Sequence, residues 1–125
     1  MFRLIENRKA ANPFYHERIS THLYTIEELC YFLETHTYLI DHDWMGEELF
    51  AWLERELQYK ELAGKLRQLY RNTKDVFQCA ELILRASGSY GEQDLERIHG
   101  LLEAMKGKTG MERRKMRGDL LLDEK

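Results

Sequence analysis

TIEELCYFLETHTYLIDHDW, residues 25–44, contains both the clearest helix start in the chain and its most open junction. Thr25 with Glu28 three residues later has the form of a capping box, in which side chain and backbone exchange hydrogen bonds at a helix N-terminus. Ile26, Leu29, Cys30, Leu33, Thr37 and Ile40 then recur at three- and four-residue steps. That period predicts a first helix over residues 26–40 with one apolar face. The quoted stretch then ends in HTYLIDHDW, which places two histidines and two aspartates within residues 36–44.

Such a cluster has two readings. As a metal site it would use His36, Asp41 and His42, the basis of a metal-dependent enzyme. Ligands on one helix face need a spacing of three or four, however, and four residues after His36 comes Ile40. As a helix junction it needs only Asp41 and Asp43 to cap a second helix and favour its positive end. The junction is the simpler reading and the expected one. The adjacent carboxylates Glu27 with Glu28, and Glu47 with Glu48, fit helix starts in the same way, with no acid–base role implied.

Downstream, helices are expected over residues 44–57, 60–71, from Val76 to a left-handed Gly88, and from Leu95 to Gly107, with SGSYGE as the main loop. The only proline is Pro13, so nothing after it interrupts a helix. FRLI before Pro13 suits a strand or a helix start, and FYHERIS after it suits one turn, leaving 1–24 poorly defined. No β-hairpin signal appears after residue 20. Thr109 and Glu112 repeat the capping-box spacing and start a sixth helix that runs off the end at Lys125 without a C-cap, as if more chain were to follow. Short links between helices favour antiparallel neighbours. The expected fold is therefore all-α: one domain of five or six antiparallel helices, stacked as hairpins or as an irregular orthogonal bundle.

Composition bounds the rest. At 125 residues the chain has room for one core, and 43% hydrophobic with 33% charged residues describes a globular chain with a solvated outside. The N-terminus lacks a secretory h-region and no apolar run is long enough to span a bilayer, so a cytoplasmic, membrane-free protein is expected. Cys30 and Cys79 match neither a disulfide framework nor a zinc pair and read as buried thiols. A net charge of −3 gives no overall reason to expect nucleic acid.

The remaining motifs concern partners. KGKTG at 106–110 has Leu102 where a phosphate-binding loop needs its first glycine and follows a helix, so nucleotide binding is rejected and no cofactor is expected. Lys108, Arg113, Arg114 and Arg117 make a positive stripe, which is more commonly a solvated helix face than a nucleic-acid surface. Tyr24, Tyr31, Phe32, Tyr38, Trp44, Phe50 and Trp52 cannot all share one inward stripe. Burial beneath residues 1–20 is the simpler account of the excess, while exposed rings would form a protein-binding anchor, with Trp44 and Trp52 as its candidates.

NPFYHERISTHLYTIEELCYFLETHTYLID, the W-L-x-x-E-L of residues 52–57 and the final ERRKMRGDLLLDEK together resemble a group of bacterial proteins in which a helical module precedes tetratricopeptide-like repeats. The resemblance implies that Lys115–Lys125 begins a repeat, and it implies no activity and no catalytic residues. No 34-residue period is present, which departs from a repeat protein. The expected function is a non-enzymatic protein-interaction or scaffold module that binds a protein partner. A nucleic-acid-associated regulator using the basic stripe and a metal-dependent enzyme are the alternatives. Homo-oligomerisation through the terminal leucines is a further expectation.

Overall fold

The chain was described by a computed structural model, which covers residues 9–106. It opens with a β-hairpin, which corrects the all-α expectation. Strand β1 (Lys9–His16) pairs antiparallel with β2 (Thr21–Thr25), with Phe14 opposite Leu23, Tyr15 opposite His22 and His16 opposite Thr21. The register is irregular between Lys9 and Phe14, so Pro13, which has no amide to donate, sits in the disturbed part of the ladder. The turn closes on His16, whose carbonyl accepts from the Ile19 and Ser20 amides at 3.1 and 3.0 Å. Ser20 takes the left-handed conformation, with φ 51°.

Helices then follow: α1 (Ile26–Thr35), α2 (Glu47–Arg55), α3 (Lys60–Thr73), α4 (Val76–Ser87) and α5 (Glu92–Met105), with a 3-10 turn at Thr37–Leu39. The capping box forms as the spacing predicts: the Glu28 amide donates to Thr25 Oγ1 at 3.1 Å, and the Thr25 amide donates to Glu28 Oε1 at 3.1 Å. Thr25 is also the last residue of β2, so strand and helix join with no loop between them.

The first helix stops at Thr35 rather than 40. Thr35 Oγ1 donates back to the Tyr31 carbonyl at 2.7 Å, a bond that competes with the helical ladder. The chain then turns so that Thr37 and Ile40 are buried instead of continuing outward. Asp41 and Asp43 do not cap α2, whose N-cap is Gly46 with no side-chain bond. The intervening turn is held because Trp44 and Met45 enter the core, the Trp44 indole donating to the Leu39 carbonyl at 2.8 Å. Burial of a Trp–Met pair outweighs the cap. Farther along, Gly88 is left-handed, with φ 72°, and ends α4 as expected. The sixth helix expected from Thr109 lies outside the described residues.

Buried apolar side chains from the hairpin and all five helices form one cluster. Hairpin and α2 are tied by the Trp52 indole, which donates to the Asn12 carbonyl at 2.9 Å, and by Asn12, which donates to Glu56 from its amide (3.0 Å) and its side chain (3.2 Å). Cys30 and Cys79 are free and buried; burial pushes each thiol up to about 12. Among the described residues no helix is long and apolar enough to cross a membrane.

Candidate functional site

The two histidines of the HTYLIDHDW cluster have partners apart from its two aspartates, which share Arg18. His36 stacks on Phe32, with ring centroids 4.4 Å apart and planes 6° apart, and its Nδ1 is 2.7 Å from Thr35 Oγ1. Asp41 pairs with Arg18 and accepts from the Asp43 amide at 2.9 Å. His42 Nδ1 lies 3.0 Å from the Tyr70 hydroxyl on α3. Among the described residues no group of three or more His, Cys, Asp or Glu side chains is placed to hold a metal ion.

Trp44 and Trp52, read as candidates for a partner surface, are only 1% and 5% exposed. This corrects that reading. Trp44 packs edge-on against Phe32, and Trp52 packs against Phe14 beneath the N-terminal hairpin. Each indole N–H already has a carbonyl acceptor. Lys108, Arg113, Arg114 and Arg117 lie outside the described residues.

Among the described residues the large aromatics left exposed are instead Tyr31, at 67%, and Tyr15, at 49%. Tyr31 borders a groove of about 500 Å³ between the hairpin and α1, within the range of small-ligand sites. Its apolar part comes from Ile19, Leu23 and Phe32, which are buried in the core. His22, Tyr31, His36, Glu27 and Glu28 supply aromatic and polar groups around it. Two stacked pairs fix the rings at its margins. Tyr15 lies 4.6 Å from His22 across the strand pair, and Phe32 supports His36 one helical turn earlier.

The two carboxylates of this groove differ. Glu28 Oε1 accepts from the Tyr24 and Thr25 amides at 2.7 and 3.1 Å, so that side chain belongs to the helix cap. Glu27 Oε1 is closed off from solvent and has no hydrogen-bond donor. Beneath it is Cys30, whose thiol is held up to about 12 by burial and, secondarily, by the negative charges of Glu27 and Glu34, against a hydrogen bond with Ser87.

The groove was readable in part from spacing. Glu27 and Tyr31 are four apart, as are Glu28, Phe32 and His36, so α1 and its C-cap carry two neighbouring rows along the groove. Looking forward from His36 finds only Ile40, whereas looking back finds Phe32 and Glu28. His22 has no such signal, because it reaches the groove through the unforeseen hairpin. No family model, no curated protein and no solved structure matches this chain.

Proposed function

We propose that this chain is a non-enzymatic protein-interaction module, of scaffold or adaptor type, that engages a protein partner at the groove between the hairpin and α1. The observation that carries this reading is Tyr31, a large aromatic left 67% exposed beside an open, apolar-floored groove. Exposed aromatics at the edge of a concave surface are the usual anchors of protein recognition, because they bury large area at small entropic cost. Elsewhere in the fold, indoles and phenyl rings of similar size are buried, which sets this face apart.

The test is affinity capture from lysate with the full chain, compared across variants and read by mass spectrometry. A partner retained by the native chain and by Glu96→Lys on the outer side of α5, and lost with Tyr31→Ser, supports the reading. A partner set unchanged by Tyr31→Ser together with Tyr15→Ser overturns it. Including nuclease in parallel separates proteins bound directly from those carried by nucleic acid.

A further inference from the structure

Among the described residues Glu27 carries the one buried side-chain oxygen without a hydrogen-bond partner. A carboxylate oxygen removed from water without a donor costs free energy, and native structures pair nearly all such atoms. Here Glu27 Oε1 has no partner. Among the described residues Arg18 pairs with Asp41 and Asp43, Arg97 pairs with Glu34, and Lys9 has its Nζ 5.5 Å from the centre of the Tyr24 ring. No Lys or Arg is among the described residues lining the groove, whereas Glu27 and Glu28 both are. A groove with an apolar floor, an exposed aromatic edge and a carboxylate oxygen without a donor is complementary to a side chain with an apolar stem and a positive, planar head.

We propose that the groove receives an arginine side chain of the partner, its stem against Tyr31 and Phe32 and its guanidinium on the Glu27 carboxylate, which turns its enclosed Oε1 toward the groove to meet it. This rests on the groove being the interaction surface and adds the chemistry of what enters it. Arginine fits better than lysine because the guanidinium stacks on aromatic faces and offers parallel donors to a carboxylate, while a compact ammonium keeps more of its hydration. Glu28 stays with the helix cap, so the charge pairing falls to Glu27 alone.

The test uses the full chain labelled with ¹⁵N and two capped tripeptides, Gly-Arg-Gly and its citrulline counterpart, which keeps the shape and removes the charge. The arginine peptide is expected to shift the amide signals of His22, Leu23, Glu27 and Tyr31, and to bind roughly tenfold more tightly than the citrulline peptide. Glu27→Gln should abolish that preference, and Tyr31→Ala should weaken both peptides. Equal binding of the two peptides, an arginine preference unchanged by Glu27→Gln, or no shifts with either peptide would each overturn the proposal. Citrulline binding equal to arginine at these same amides leaves the interaction surface intact and removes only the charge recognition. Loss of the surface itself is read separately, from capture insensitive to Tyr31→Ser and Tyr15→Ser.

Discussion

Glu47 and Glu54 on α2 and Glu27 on α1 are carboxylates on consecutive helices of nearly equal length, and they end in opposite circumstances. Arg67 of α3 reaches both α2 residues: its Nε and Nη2 donate to Glu47 at 2.9 and 2.8 Å, and its Nη1 donates to Glu54 at 2.9 Å. The hydrogen bonds from Arg67 hold the Glu47 carboxyl below its ordinary range. Aromatic residues on that side follow suit, with Phe50 and Trp52 buried and the Trp52 indole paired. The α1 face has an exposed Tyr31 and, one turn before it, an unpaired Glu27 oxygen. A fold that satisfies its polar groups on one side has the means to do so on the other. Among the described residues the α1 face is therefore the one left open, as the proposed partner site requires.

Substitutions sharpen this contrast, starting with the closed side. Trp44→Ala removes a fully buried indole and leaves the Leu39 carbonyl without its donor, so unfolding free energy should fall by about 3–5 kcal/mol in urea denaturation. A loss below about 1 kcal/mol would break the assignment of Trp44 to the core. Asp75→Ala comes next. Its Oδ1 caps α4 through the Phe77 and Gln78 amides, and its Oδ2 pairs with Lys106 at 3.0 Å, so a loss of about 1–2 kcal/mol is expected.

Arg67→Ala should cost about 1 kcal/mol, since the clasp is bidentate but partly solvated. On the open side, Tyr31→Ala should change stability by no more than about 0.5 kcal/mol while abolishing partner capture. A large stability loss there would erase the distinction between the two faces.

Acid provides a test at α4, away from the groove. Burial opposes ionisation of Asp75 and Glu81, but Lys106 and the α4 amides around Asp75, and His99 and Arg85 around Glu81, win and hold both carboxyls below their ordinary values. Each group in the unfolded chain binds its proton near pH 4. Their contribution is thus complete at neutral pH and is lost as pH falls through and below about 4. The urea midpoint should drop between pH 6 and pH 3, and Asp75→Asn should reduce that drop; a midpoint that rises over this interval would contradict the direction of both shifts.

Helices announced themselves in the sequence and the hairpin did not. The three- and four-residue spacing of apolar residues marks α1, α3 and α4 well, and the Thr25–Glu28 box and Gly88 mark two of their ends. Strands of five and eight residues offer little period-two alternation. Their turn carries Glu-Arg-Ile-Ser, with Ser20 in the left-handed position where glycine or asparagine would have signalled a hairpin. The Asp41–Asp43 caps failed for a different reason: Trp44 and Met45 were drawn inward, and a tertiary gain overrode a local preference. Because His22 is on β2, missing the strand also concealed one wall of the groove. Only the α1 rows, Glu27–Tyr31 and Glu28–Phe32–His36, were accessible from spacing.

Thr25 ends β2 and caps α1 in a single residue, and this has a kinetic consequence. With reciprocal bonds between Thr25 and Glu28 and no loop between the elements, the two walls of the groove have no hinge about which to close. A ligand then meets two walls whose backbone is already in place, with only side-chain rotation such as that of Glu27 left to order. Association should accordingly be one exponential whose rate rises linearly with ligand concentration and never levels off, the signature of a lock rather than a closing hand.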